Sequence, residues 1–205
     1  MNWRNVVMVL VTICLSGCGS KESKQSSAKS ENLALSEAQK QHCGLIREAL
    51  KEMDAAQTAS DTKRSQAAII RILDQYKALT SETKATSGWV GRCVANTPDK
   101  SGKPIAEGVL LADPEPSSDN RIFFVLKNAD GAHLSPGALA RFSGNIEHVK
   151  VEYLTFMQGR FFEASVSTRG EIGFDATGLN LRGLTKARVL VEISGGQMSS
   201  YAPAT

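Results

Sequence analysis

Thr80–Ala95 reads TSETKATSGWVGRCVA, and the hydrophobic period of the chain changes across it. Upstream, apolar residues recur three and four positions apart: Leu45, Ile46, Ala49, Leu50 and Met53, then Ala67, Ile69, Ile70, Leu73, Tyr76 and Leu79. That spacing lines one side of a helix. Downstream the apolar residues alternate, as they do along a strand with one face buried. Thr80 to Gly88 is small and polar, a loop between the two regimes. Helices first and strands after predict an α+β fold, an N-terminal helical hairpin packed on a mainly antiparallel twisted sheet or small barrel.

The helical part carries its own punctuation. Ser36-Glu37-Ala38-Gln39 has the form of a capping box, in which Gln39 reaches back to the cap. Ala55 to Asp61 reads as a turn, and Ser60 or Asp61 can cap the second helix. Two helices with so short a connection form an antiparallel hairpin whose apolar faces need a partner.

The partner comes from the strand-forming half. Strands are expected at Trp89–Ala95, Ala106–Ala112 and Arg121–Lys127, the last apolar enough (Ile122 to Leu126) to be buried on both sides. Asp113–Asn120, DPEPSSDN, is a loop because two prolines forbid a central strand. Asp130-Gly131 and Pro136-Gly137 signal turns. Ala138–Ile146 and His148–Phe156 are two strands or one long strand bent near Gly144-Asn145. Gln158-Gly159-Arg160 turns the chain into Phe161–Ser167, and Arg169-Gly170 turns it again toward Ile172 and Phe174. In Lys186–Ser194 the residues Ala187, Val189, Val191 and Ile193 face one way and Lys186, Arg188, Leu190 and Glu192 the other. Gly195-Gly196 reads as a strand exit, followed by a frayed polar tail. This order of strands and turns is similar to bacterial envelope proteins of the OB-fold type. The resemblance implies a small OB-like barrel, a fold that can bind oligonucleotides or oligosaccharides.

The amino terminus suggests where the protein resides. Val6–Leu15 is an apolar run relieved by Thr12 and Cys14, preceded by Arg4. A membrane-spanning helix needs about twenty residues, so this run fits a signal peptide instead. It ends on Leu15-Ser16-Gly17-Cys18, which resembles the lipobox of bacterial lipoproteins. The resemblance implies that Cys18 receives a diacylglyceryl group, that cleavage follows Gly17, and that the new amino terminus takes a further fatty acid such as palmitate. Several acyl chains anchor stably where one does not. In that class an Asp after the cysteine holds the protein at the inner membrane. Gly19 therefore points to the outer membrane, facing the periplasm, with the inner membrane or the cell surface as the other placements.

The expected organisation is a signal peptide over 1–17, an anchor and tether over 18–33, a helical hairpin over 34–83, a β-rich domain over 84–195 and a tail over 196–205. Gly19–Glu31, GSKESKQSSAKSE, has one apolar residue, Ala28, and too little hydrophobic surface to order itself. Its root-mean-square reach is about 20 Å.

Charge and cysteine content narrow the classes. The net charge is +3, and Arg4 is the only charge before Cys18, so the mature chain carries +2. That balance is not the electrostatic footprint of a nucleic-acid binder. Aromatic content is 6%, too low for a broad stacking platform. With Cys14 removed and Cys18 acylated, Cys43 and Cys93 remain as a pair in an oxidising compartment, and a disulfide between them is expected. Closing a loop of about fifty residues would stabilise the fold by about 4 kcal/mol.

The chemistry-bearing residues do not assemble a motif. His42, His133 and His148 lack metal-binding spacing, and no metal or other cofactor is expected. Ser143-Gly144 sits in FSGN without the elbow of an α/β hydrolase. Arg121, Lys127, Arg141, Lys150 and Arg160 are interleaved with Glu147, Glu152 and Glu163, as on a mixed soluble face. Phe123, Phe124, Phe142, Phe161 and Phe162 are expected in the core. The expectation is a non-enzymatic envelope lipoprotein, held to the membrane through Cys18, that binds or assembles with an envelope protein or polymer. The other reading is a periplasmic hydrolase acting on the cell wall or a secreted substrate.

Overall fold

The computed structural model describes residues 34–83, 85–98, 100–111, 121–127, 130–131, 134–155, 162–174 and 184–202. The signal segment, Cys18 and the tether lie outside the described residues, as do 113–120, His133, the 158–160 turn with Phe161, and 175–183.

Two helices open the described chain. α1 spans Glu37–Thr58 and α2 spans Thr62–Leu79. Ser36 caps α1, its side chain accepting from the Gln39 N–H, and Asp61 caps α2 by accepting from the Arg64 N–H. Such caps each contribute about 1 kcal/mol. α1 runs four residues further than its composition suggests, through Thr58, and the reversal is confined to Ala59–Asp61, where Ser60 takes a positive φ of 56°. α1 buries Cys43, Ile46, Ala49, Leu50 and Met53; α2 buries Ala68, Ile69, Ile72, Leu73 and Tyr76. The expected placement of Ala67 and Ile70 is corrected: both are exposed, Ile70 by 42%.

Eight strands follow: β1 Trp89–Pro98, β2 Pro104–Leu110, β3 Ile122–Lys127, β4 Asp130–Gly131, β5 Leu139–Thr155, β6 Phe162–Ser167, β7 Ile172–Phe174 and β8 Leu184–Ser200. They form one mixed sheet in the order β4-β8-β3-β2-β1-β5-β6-β7, and β5 also pairs with β8. That extra pairing closes β1, β2, β3, β8 and β5 into a ring, consistent with the OB-like barrel. Within it β3 and β8 run parallel and the other neighbours antiparallel. The α+β fold with a helical hairpin ahead of the sheet is therefore observed.

Three local expectations are corrected. Asp130-Gly131 is a two-residue strand parallel to β8, not a turn. β3 buries only one face: Ile122, Phe124 and Leu126 point inward, while Phe123, Val125 and Lys127 are half-buried on the outside. β8 does not end at Gly195-Gly196 but runs through them to Ser200, pairing Met198 with Phe142 and Ser200 with Ala140. Gly196 permits this crossing, because a Cβ there would lie 2.4 Å from the Ser143 carbonyl oxygen. β5 is the single bent strand, with register shifts between Ser143 and Asn145 and between Ile146 and His148.

The helices and the ring share one core. Phe124 and Phe142 meet inside the ring with centroids 4.5 Å apart, packed with Ile146, Val149, Val189, Val191 and Ile193 and with the buried helical stripes. Arg121 fastens the far end of α1, its guanidinium donating to both carboxylate oxygens of Asp54 at 2.9 Å. Among the described residues no helix is long and apolar enough to cross a membrane.

Candidate binding face

Among the described residues two groupings of polar side chains stand out, at the junction between the helices and β1 and on the outer face of the ring. At the junction, Gln39 is wholly buried. Its Nε2 donates to the carbonyls of Val90 (2.7 Å) and Leu111 (2.9 Å), and its Oε1 accepts from the Val90 N–H (2.8 Å). The side chain thus acts as a strand fragment joining β1 to the end of β2, and does not return to the cap of α1.

His42 lies beside it, edge-on to Tyr76 at 4.4 Å and tilted against Trp89 at 5.6 Å, with its buried Nε2 unpartnered. Burial drives its pKa down to about 4, so the ring is neutral.

The expected Cys43–Cys93 disulfide is corrected: both cysteines are free and buried. The Cys43 thiol is directed at the Leu111 carbonyl (3.7 Å), at the Val90 end of β1. Cys93, three residues further along β1, has its sulfur near the Ala95 carbonyl and Asn96 Oδ1, both at 3.7 Å. Three strand residues span roughly 10 Å, and each thiol has its own acceptor. Burial pushes Cys43 up to about 12, against a small opposing effect from Arg47, and raises Cys93 as well. Neither is a ready nucleophile, since the thiolate is the reactive form.

The outer face of the ring follows from strand alternation. Val109 opposes Phe123, Phe123 opposes Leu190 and Val125 opposes Glu192, while on the other side of β8 Lys150 opposes Leu190, His148 opposes Glu192 and Glu152 opposes Arg188. Opposed residues share a face. An apolar patch of Val109, Phe123, Val125 and Leu190 is thereby bordered by ion pairs. Arg188 Nε donates to Glu152 at 2.7 Å, and its guanidinium lies 5.5 Å from the Phe123 ring centre. Lys127 Nζ donates to Glu192 Oε2 at 2.5 Å, and Lys150 Nζ stands 3.7 Å from Oε1. Partial burial would raise the Glu192 pKa, but the Lys127 hydrogen bond and the charges of Lys127, Lys150 and His148 outweigh it and hold the carboxylate below its usual value.

The residues expected to carry chemistry are dispersed. His42 is interior, His148 is on the outer face, and Ser143 sits at the β5–β8 crossing. Arg121 is committed to Asp54, and Arg141 lies over the Tyr201 ring at 4.7 Å, away from the Lys127–Glu192 group. Of the five phenylalanines expected in the core, Phe124 and Phe142 are there, but Phe123 faces outward. No motif in the sequence marks Arg188, Leu190 and Glu192 as site residues, although the alternation of residues 186–193 separates them from the inward Val189 and Val191. Among the described residues no three His, Cys, Asp or Glu side chains gather as a metal-binding group. No protein-family model, curated protein or solved structure matches the chain.

Proposed function

We propose that this chain is a lipid-anchored envelope protein whose ring binds an envelope protein or polymer through the outer face of β2, β3 and β8. The observation that carries this reading is the pairing of Phe123 with Arg188. An aromatic ring stands outside the core beneath a guanidinium that Glu152 holds in place. A flat ring with a polar neighbour suits a sugar face or an extended polypeptide, and aromatic and Arg side chains dominate binding energy at protein interfaces. The ion pairs around it orient a partner more than they add affinity. The lipobox at Cys18 supplies the anchor, and no nucleic acid is invoked. A hydrolase would need carboxylates or a nucleophile converging on one substrate atom. Glu152 and Glu192 are instead tied to Arg188 and Lys127.

Two measurements test the two halves. Mass spectrometry of the Cys18 peptide should find a diacylglyceryl thioether and an N-acyl group; an intact Gly17–Cys18 bond would contradict the anchor. The soluble Cys18→Ser chain should bind isolated envelope fragments saturably, and Phe123→Ala with Arg188→Ala should weaken that binding roughly tenfold or more, as loss of a central aromatic–Arg pair does. Unchanged binding in the double variant would contradict the assigned face.

A further inference from the structure

The described chain enters the fold along the outside of the ring. Leu35 packs against Val90, Leu111, Leu139 and Tyr201, and the Ala34 N–H donates to Tyr201 Oη at 3.0 Å. Gln39, one helical turn on, bonds Val90 and Leu111. The first described residues are thus pinned over β1, β5 and the carboxyl end of β8, and any tether preceding them departs from this pole.

Two arginines mark the same pole. Val90 opposes Arg141 and Arg92 opposes Leu139, so all four point outward from β1 and β5. Arg92 and Arg141 are diagonal neighbours, with Cα atoms roughly 7–8 Å apart. Arg141 is exposed and stacked on the Tyr201 ring, whose hydroxyl holds Ala34; Arg92 Nη1 donates to the Gly137 carbonyl. In the first turn of α1, Glu37 is ion-paired with Lys40 at 2.9 Å. Fifteen residues, Gly19 to Leu33, separate Cys18 from Ala34 in the sequence, and a flexible chain of that length has a mean reach of about 20 Å.

We propose that the Arg92–Arg141–Tyr201 surface docks on the phosphates of anionic membrane lipids and so sets the orientation of the ring above the bilayer. The proposal rests on the lipid-anchor reading. The chemistry is that of a guanidinium fork meeting a phosphate, with a tyrosine at headgroup depth. Two basic side chains are too few to bind a membrane from solution. On a tethered protein they decide only which pole faces down, at roughly fivefold per arginine. Docking here leaves Phe123, about two strand spacings of roughly 5 Å from Arg92, at the side of the ring and open to a partner.

The test uses the acylated protein purified from membranes and reconstituted into vesicles of phosphatidylcholine with or without phosphatidylglycerol, both carrying a headgroup quencher. An environment-sensitive dye is placed at Ser199→Cys, which is exposed and opposite Arg141, or at Lys186→Cys, thirteen residues back along β8; the buried Cys43 and Cys93 do not compete for label. The expected result is quenching at residue 199 that requires phosphatidylglycerol and is relieved by salt, with little quenching at residue 186. Arg92→Gln with Arg141→Gln should lower the docked-to-undocked ratio roughly 25-fold, while Arg141→Lys, which retains the charge but not the fork, should fall between the wild type and the double variant. Equal quenching at both positions, or quenching indifferent to lipid charge, overturns the proposal. A protein that carries no acyl group overturns the anchor reading instead. The Cys18 thiol is then coupled to a maleimide lipid, and the same comparison decides on the docking surface alone.

Discussion

At the junction of the helices with β1, His42 is wedged between the rings of Tyr76 and Trp89 with its Nε2 unbonded. On the outer face of β8, Glu192 has lysines on either side, Lys127 at 2.5 Å and Lys150 at 3.7 Å. Burial acts against the charged form of both groups, and only one loses its charge. His42 is left neutral and contributes through ring packing, whereas Glu192 stays ionised because neighbouring cations outweigh its desolvation. The interior junction is a place where polar groups hold the fold together. The outer face is a place where charge is preserved and presented.

The sharpest way to break the comparison is at Gln39. Gln39→Leu strips the Val90 N–H and two carbonyls of their side-chain partner inside the core. We expect a loss of about 3 kcal/mol, read from denaturant unfolding, because buried groups left unsatisfied cost more than the bonds themselves are worth. A loss below about 1 kcal/mol would mean that the clamp is incidental.

Next comes acid. His42 has a folded pKa of about 4 against 6.5 in the unfolded chain. Between those values the unfolded state binds more protons, so stability rises with pH, is complete above about pH 6.5, and is lost as the pH falls toward 4. The loss amounts to about 3 kcal/mol at 1.36 kcal/mol per unit. His42→Phe should flatten that window, and a slope that persists in the variant would remove His42 from the junction's account.

The two faces of the ring show how much was legible in the chain. The alternation of residues 186–193 foretells that Val189, Val191 and Ile193 are buried, and they are. The continuation of β8 through Gly195-Gly196 was not legible, because two glycines locally read as an exit. Gly196 is required by the Ser143 carbonyl, more than fifty residues away in sequence, and Gly195 by its positive φ of 60°. Gln39 has the same character: its spacing fits a capping box, but its partners lie 51 and 72 residues away. Ile69 and Ile70 both fit a helical stripe, and only burial in the core shared by the helices and the ring selects Ile69. Counting cysteines on the expectation of export suggests a bridge; the direction of each thiol in the fold gives two separate contacts. Phe123 and Phe124 are chemically identical neighbours, and the register of β3 alone assigns one to the core and one to the candidate face.

Smaller effects sharpen the outer side. Phe123→Ala should cost about 1 kcal/mol of stability, far below the 3–5 kcal/mol of a core phenylalanine such as Phe124, which thermal unfolding of the two variants would separate. Smallest is Glu192→Gln. The depressed Glu192 pKa contributes stability above about 4.5 that is lost as the pH falls through the folded value. The variant should therefore lessen acid sensitivity below the His42 window while barely changing stability at neutral pH, since partly exposed ion pairs contribute about 1 kcal/mol or less.

The most direct test of the outer face as the working surface is site-specific photo-crosslinking in intact cells. A photoreactive residue is placed at 123, at 190, or at 70 on the exposed side of α2. The account predicts one discrete adduct from positions 123 and 190, lost on Arg188→Ala, and none from position 70. Equal crosslinking from all three positions, or an adduct from position 70 alone, would contradict it.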